Sequence, residues 1–239
     1  MKIFLLAHQD DEVFFLPHLI DSEKKVFIYL TNGVSKSSTQ GDSIKRINEA
    51  KNIFDKSLSS YNAEAIWWGS QYWIPEGELH NSISDVFLEK LAALISTAFP
   101  GEKAIYSTTF EGAHQDHDSA AVIARKIAKN LGLDLIEMPT YPMGRTNFYS
   151  YKVMYTQHPQ FEYGYKRRIV VWLAIKLMFG YKTQIKTWIG LGPFVLFKYA
   201  FGKYESSSPL PVDKMRYCFY EFRGRARQDD VIIKLSKHS

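Results

Sequence analysis

The chain has 239 residues, 46% of them hydrophobic and 23% charged, which excludes a disordered chain and is enough for one large α/β domain, alone or with an appendage. The net charge of +5 is mild, and basic clusters late in the chain are more often solvated surface than a nucleic-acid site, so we expect no nucleic-acid partner. A single cysteine, Cys218, excludes an intramolecular disulfide and a cysteine-rich zinc module.

The first part of the chain alternates strand-like and helix-like segments. This alternation predicts a Rossmann-like α/β fold, with a mostly parallel sheet and helices on both faces. The predicted strands are Lys2–Ala7, Lys25–Thr31, Ala63–Trp68, Lys103–Thr108 and Asp134–Met138. The predicted helices are Ser43–Leu58, Ile83–Ala98 and Asp118–Leu131, the last closing at Gly132. Pro17 should kink or delay an earlier helix.

The N-terminal sequence runs from Met1 directly into the first predicted strand. Its apolar run, residues 3–6, is too short for a signal peptide and is followed too soon by acidic residues. We therefore expect a cytoplasmic protein. Residues 1–140 should form the core, and residues 141–239 a C-terminal appendage of helices and strands packed on the same domain.

The first predicted strand leads into Ala7-His8-Gln9-Asp10-Asp11-Glu12, which holds an imidazole and three carboxylates within five residues. Adjacent aspartates repel each other in a cleft of low dielectric constant unless a cation or a proton relieves them. A divalent metal ion would do so. The alternative is an ordinary helix start, with Asp10 or Asp11 as N-cap and Glu12 in the first turn.

A second cluster, Gly112-Ala113-His114-Gln115-Asp116-His117-Asp118, follows the fourth predicted strand. The doubly wound strand order 3-2-1-4-5 would place the first and fourth strands side by side, so both clusters would face one crevice. The alternative is a helix cap at Asp116 or Asp118 with exposed histidines. No Gly-x-Gly-x-x-Gly follows the first strand, which argues against a dinucleotide cofactor.

Together the clusters supply the parts of a metal-dependent hydrolase. A catalytic zinc commonly takes three ligands from histidine and carboxylate and leaves a position for water, although Fe²⁺ or another divalent ion accepts the same ligands. The expected ligands are His8, Asp11 and His117. Asp10 is the expected general base. His114 should stabilise the oxyanion or the leaving amine, and Asp116 should fix the tautomer of the His114 ring or raise its pKa.

The two clusters resemble the paired signatures of the PIG-L deacetylases, also called LmbE-like proteins, which read Ala-His-Pro-Asp-Asp-Glu and Gly-Gly-His-Pro-Asp-His. Gln9 and Gln115 stand where the family has proline, and Ala113 stands where it has glycine. These departures leave every side chain with a chemical role in place. The resemblance covers about residues 1–140. It implies a Rossmann-like zinc hydrolase that removes acetyl groups from N-acetylglucosaminyl conjugates and related amides, with the site roles given above.

Weaker similarities to the family suggest residues near the substrate. Arg46 resembles a family position beside the sugar, although an exposed helix arginine paired with Glu49 is an equal interpretation. Glu76 lies in a loop where the family usually carries Asp-Gly. Lys182-Thr183-Gln184 resembles a Ser-Gln-bearing helix start of members from polysaccharide pathways.

The C-terminal part offers open alternatives. The aromatic residues of 141–165 suggest a wall for a sugar or a cap over the cleft, or else core packing. Ile169–Tyr181 and Trp188–Phe201 are too short to span a membrane and would either lie on its inner surface or pack as a helical insert against the sheet. Arg216–Phe222 and Val231–Leu235 are predicted as late strands.

The two clusters predict a metal-dependent hydrolase, and the family resemblance implies a zinc-dependent N-deacetylase acting on an N-acetylated hexosamine in a conjugated glycan or glycolipid precursor, as in polysaccharide biosynthesis. One alternative is a zinc amidase on a non-sugar N-acyl compound. Another is a non-catalytic scaffold or glycan-binding protein, against which the retained Asp10 argues.

Overall fold

The computed structural model describes residues 1–112, 114–138, 140, 159–163, 166–201, 204–207 and 226–238, with 159–163 and 204–207 described by their backbone. Seven strands of the described chain form one sheet. They are β1 (Lys2–Leu6), β2 (Lys25–Tyr29), β3 (Ala63–Ile66), β4 (Ala104–Thr108), β5 (Asp134–Met138), β6 (Pro159–Tyr163) and β7 (Tyr204–Ser207). Their order across the sheet is β3-β2-β1-β4-β5-β7-β6.

The strands β1 to β5 are parallel and lie in the doubly wound order expected from the sequence. Leu5 of β1 is in register with Ile28 of β2 on one side and with Ser107 of β4 on the other. The first and fourth strands are therefore neighbours, and the predicted fold class is confirmed. The sequence did not predict β6 and β7, which extend the sheet with antiparallel pairing.

The α-helices of the described chain comprise those that connect the parallel strands and three that come after β5. They are α1 (Leu16–Leu19), α2 (Gln40–Ile53), α3 (Trp68–Gln71), α4 (Leu79–Ser82), α5 (Asp85–Ala98), α6 (Gln115–Leu131), α7 (Arg167–Gly180), α8 (Ile185–Phe201) and α9 (Gln228–Ser236). A 3₁₀ helix, Asp11–Phe15, precedes α1, and Pro17 lies in the first turn of α1, so the proline delays this helix as predicted. Gly132 ends α6 with a φ of 65°, also as predicted.

The predicted strand Val231–Leu235 is wrong, because these residues belong to α9. A short apolar run does not distinguish a strand from a buried helix segment, and here Val231 and Leu235 are buried at helical spacing. The predicted strand Arg216–Phe222 lies outside the described residues. So does the predicted aromatic segment 141–165, apart from Pro159–Tyr163.

The two faces of the sheet carry separate apolar layers, because alternate residues of a strand point to opposite sides. Phe4 and Leu6 of β1 pack in a cluster that includes side chains of α7 and α8. Ile3 and Leu5 pack in a second cluster with α5 and α6. Helices therefore cover both faces, as the sequence predicted.

The helices α7 and α8 follow the two late apolar stretches of the sequence. Val170, Leu173 and Leu177 of α7 are buried in the first cluster, as are Trp188 and Tyr199 of α8. The inner faces thus pack as a helical insert. No helix within the described ranges is both long and apolar enough to cross a lipid bilayer.

Candidate metal centre and active site

Both histidine clusters lie at the carboxyl edge of the sheet, immediately after β1 and β4. The ring centroids of His8 and His114 are 4.8 Å apart, and the His117 ring lies 5.2 Å from each of them. The Thr108 hydroxyl at the end of β4 donates to the His117 carbonyl oxygen at 3.0 Å, which ties α6 to the strand end. The two neighbouring strands thus bring the clusters together, as expected from the strand order.

Asp11 lies between two of these rings. Its Oδ1 is 3.1 Å from His117 Nε2, and its Oδ2 is 3.6 Å from His8 Nδ1. Ligand atoms of His8, Asp11 and His117 all lie within 4.8 Å of one another, and all three residues are buried. This is the ligand set proposed from the sequence.

In His8 and His117, the ring nitrogen that does not face Asp11 has a hydrogen-bond partner. His8 Nε2 is 3.0 Å from Asp116 Oδ2, and His117 Nδ1 is 3.2 Å from the Thr140 hydroxyl. The Thr140 hydroxyl donates its own hydrogen to Glu111, so it can only accept from His117 Nδ1. Asp116 likewise accepts from His8 Nε2.

These hydrogen bonds fix the tautomer of each ring, and so decide whether the nitrogen that faces Asp11 carries a proton or a lone pair. In the neutral rings, His8 Nδ1 and His117 Nε2 carry lone pairs that face a carboxylate. Acceptors cannot bind one another, so a cation or added protons must lie between them. Histidine ligands whose far nitrogen donates to a carboxylate or another acceptor are typical of protein metal sites. The residues therefore fit a divalent metal ion.

The pKa shifts in the cluster also indicate that positive charge is favoured beside Asp11. Burial raises the pKa of Asp11, but His117 and His8 outweigh it and hold the pKa well below its usual value. Burial lowers the pKa of His8, yet Asp11 and Glu76 raise it well above normal overall. Burial also raises the pKa of Asp116, whereas the hydrogen bond from His8 brings it down to about 2. A bound cation would supply the charge that imidazole protons otherwise provide.

Asp10 lies beside the ligand set without belonging to it. It occupies the N-cap position of the 3₁₀ helix with a φ of 154°, but its side chain does not cap the helix. One carboxylate oxygen is instead 2.9 Å from Arg46 Nη2. Strained backbone of this kind clusters at functional sites. Asp10 thus stands at the predicted N-cap position, with Glu12 in the first turn, but its carboxylate does not cap the helix.

Arg46, on α2, is one of the largest buried side chains of the described chain. Besides Asp10, it contacts Glu49 at 3.6 Å, donates to the Thr183 hydroxyl at 2.9 Å and lies 5.0 Å above the Tyr181 ring. The predicted i,i+3 pair with Glu49 exists, but the predicted exposure of Arg46 is wrong. Its position beside Asp10 suits a residue that orients this carboxylate.

His114 caps α6, which begins three residues earlier than predicted. The His114 Nδ1 accepts a hydrogen bond from the Asp116 backbone N–H at 3.2 Å, so the neutral ring carries its proton on Nε2. The Asp116 carboxylate was expected to orient His114, but it lies against His8 and accepts from the backbone N–H groups of Gly77 and Leu79. Asp116 thus orients a candidate metal ligand.

Glu76 lies at the edge of the same centre. Ligand atoms of His8, Glu76 and His114 are within 4.8 Å of one another, and Glu76 is only partly buried. This second set shares His8 with the first and is less enclosed. The substrate-facing role expected of Glu76 from the sequence stays a prediction.

Glu12, the third carboxylate of the first cluster, belongs to neither candidate metal set of the described residues. It accepts hydrogen bonds from the hydroxyls of Tyr29, at 2.8 Å, and Tyr181. Burial raises its pKa to about 7 despite these bonds. Sequence reasoning missed Thr140 and Glu111, although Thr140 follows β5 at the same sheet edge and could have been found there. No sequence signal pointed to Tyr181.

The sequence also matches the model of a known protein family. The sequence model of the PIG-L family, described as GlcNAc-PI de-N-acetylase, matches residues 3–128. The chain belongs to the PIG-L family. The match includes both histidine clusters, so the resemblance found in the sequence is confirmed. Among curated protein sequences, none matches the chain significantly.

Three solved structures share the fold at low sequence identity. N,N'-diacetylchitobiose deacetylase from Pyrococcus horikoshii, complexed with its inhibitor MPG, has a TM-score of 0.58 and 15% identity, over 86% of this chain and 81% of that one. The conserved protein TT1542 from Thermus thermophilus has a TM-score of 0.60 and 16% identity, over 87% and 94%. Dbv21, the deacetylase of the A40926 pseudoaglycone, has a TM-score of 0.58 and 14% identity, over 86% and 94%.

Proposed function

We propose that this PIG-L member is a metal-dependent N-deacetylase that hydrolyses the acetamide of an N-acetylated sugar conjugate, of the N-acetylglucosamine type, in glycan or glycolipid precursor synthesis. The observation that carries the proposal is the ligand set of His8, Asp11 and His117 with Asp10 beside it. When bound there, a divalent cation such as Zn²⁺ would polarise the acetamide carbonyl and lower the pKa of a neighbouring water. Fe²⁺ suits the same ligands.

The side chains around the ligand set have the remaining catalytic roles. Asp10 takes a proton from the water whose oxygen attacks the acetyl carbon, and it returns that proton to the nitrogen as the C–N bond breaks. His114 presents its Nε2–H to the oxyanion. Arg46 holds Asp10 in place from 2.9 Å. The products are acetate and a free amine.

The substrate class is supported by the family and by its relatives. The family model is described as a de-N-acetylase of GlcNAc-PI, and two of the structural relatives are named as deacetylases, one of them of N,N'-diacetylchitobiose. The Arg46 guanidinium and the Glu76 carboxylate offer a donor and an acceptor for sugar hydroxyls.

Acetate release tests this proposal. Zinc-loaded protein should release acetate from N-acetylglucosamine conjugates and from diacetylchitobiose, and more slowly from N-acetyl amino acids. Acetate release from the amino compounds alone would favour the amidase alternative. Metal binding with no acetate release from any of these substrates would favour a non-catalytic protein.

The pH dependence of acetate release should report Asp10. Burial raises the pKa of Asp10 to about 6, although Arg46 opposes the rise. A base must be deprotonated, so kcat/KM should fall as the pH drops through about 6, or somewhat lower with a bound cation. In Arg46→Met the lost positive charge should move this acid limb upward by about one pH unit or more.

A matched control removes a charge from the same helix without touching the site. Lys45 is the exposed neighbour of Arg46, so Lys45→Met should leave the pH profile unchanged. If Arg46→Met and Lys45→Met shifted the acid limb equally, the Arg46–Asp10 pair would not control it.

A further inference from the structure

The net positive charge of the chain comes entirely from residues 166–201. This segment, the α7–α8 pair, comprises both helices and the turn between them. It contains seven basic residues and no aspartate or glutamate. The basic residues are Lys166, Arg167, Arg168, Lys176, Lys182, Lys186 and Lys198. The other 203 residues have 23 Lys and Arg against 25 Asp and Glu, so they are slightly acidic. Such a segment attracts an anionic partner.

The outer faces of both helices are apolar as well as basic. On α7 the exposed residues recur at helical spacing, as Ile169, Trp172, Lys176 and Phe179. The stripe on α8 consists of Lys186, Ile189, Pro193, Phe197 and Phe201, all of which are exposed. Six of these nine side chains are among the large exposed hydrophobic residues of the described chain. An isolated exposed leucine needs no explanation, but an ordered stripe of this size does.

The two stripes share the outer surface of the pair. Both helices bury their opposite sides in the same core cluster, and Gly192 of α8 packs against Met178 of α7. The Arg167 guanidinium donates to the Tyr199 carbonyl oxygen, so the end of α8 lies beside the start of α7. Basic residues stand at both ends of the pair, with Trp172 between them. A helix with aromatic and aliphatic residues flanked by lysine and arginine is typical of a membrane interface.

We propose that the α7–α8 surface docks on an anionic lipid bilayer. A second copy of this chain is a poorer occupant, because a two-fold contact would bring the basic residues of both copies together. Nucleic acid is also disfavoured, since its protein interfaces are more polar than a stripe of tryptophan, phenylalanine and isoleucine. Lipid satisfies both features, because its headgroups are charged and its acyl region is apolar.

Docking would place the active site close to the lipid surface. The turn between the two helices carries Thr183, whose hydroxyl accepts from Arg46, the partner of Asp10. Tyr181, at the end of α7, donates to Glu12. On α8, the Trp188 ring is 6.1 Å from Phe14, which in turn lies 6.4 Å from the His117 ring. Lipid docking itself requires no catalytic activity.

Flotation with lipid vesicles, in the absence of substrate, tests the proposal. The protein should bind phosphatidylglycerol vesicles, bind pure phosphatidylcholine vesicles much more weakly, and lose affinity as the salt concentration rises. Combining Trp172→Ser, Phe179→Ser and Phe197→Ser should weaken binding by at least about tenfold, because a single large apolar side chain already contributes about that factor to partitioning. The control combines Ile44→Ser, Val86→Ser and Ile233→Ser, three apolar residues that are also more than half exposed but lie on other helices. It should bind like the wild type.

A charge variant, Arg168→Gln with Lys186→Gln, keeps the test decisive if the apolar variant is unstable. It should weaken binding to phosphatidylglycerol vesicles and leave binding to phosphatidylcholine unchanged. Equal binding by the wild type, the apolar variant and the charge variant would overturn the proposal, as would a wild type that binds neither vesicle. Self-association of the wild type that only the apolar variant abolishes, without vesicle binding, would also overturn it in favour of a second copy.

Discussion

Replacing Asp10 by asparagine should lower kcat by about 10²- to 10⁴-fold while the protein keeps its metal. The amide retains the shape of the carboxylate and can still contact Arg46, but it cannot accept a proton from water. Asp10 is outside the set formed by His8, Asp11 and His117, so metal affinity should change little. Acetate release and metal content of the same preparation measure both effects.

The control for this change is Asp55→Asn. Asp55 is an exposed carboxylate just after α2, so the same substitution there should leave kcat unchanged. If Asp10→Asn retained most of the activity, another group would serve as the base. Glu76 would then be the first candidate, because its ligand atoms lie close to His8 and His114.

His117→Ala should abolish both metal binding and acetate release. Its Nε2 faces Asp11 at 3.1 Å, and without the ring only His8 and Asp11 of the set remain. Thr140→Val offers a graded comparison, because it removes only the hydroxyl that holds His117 Nδ1. Losing such an outer partner should weaken metal binding by about 10- to 100-fold, with activity recovered at high metal concentration.

Calorimetric titration of metal-free protein with zinc checks this pair of variants. His18→Ala controls for the loss of a buried imidazole, since His18 packs against the Tyr106 ring and is not part of either candidate metal set among the described residues. It should bind zinc like the wild type. Wild-type zinc affinity in His117→Ala would remove His117 from the ligand set.

The convergence of the two clusters was predictable because the carboxyl ends of neighbouring parallel strands meet at one edge of the sheet. Once His8 and His117 were placed after β1 and β4, the strand order alone brought them together. The candidate ligands His8, Asp11 and His117 could therefore be chosen from side-chain chemistry and strand order alone.

Partners that depend on side-chain direction were not predictable. Asp116 is two residues from His114 in sequence, but side chains at that spacing near a helix start do not face each other, so the carboxylate reaches His8 instead. Arg46 contacts Asp10, which is 36 positions away, because α2 packs in the same apolar cluster as β1. Thr183 joins Arg46 only because α7 and α8 pack over the same face.

Deacetylation should require one cation, held by side chains from the start and the middle of the chain. The most direct test follows acetate release from an N-acetylated sugar while chelator-treated protein is titrated with zinc. We expect no activity without metal and a linear rise to a plateau at one equivalent of zinc. Full activity in the metal-free protein, or an unchanged titration curve in His117→Ala, would contradict the claim.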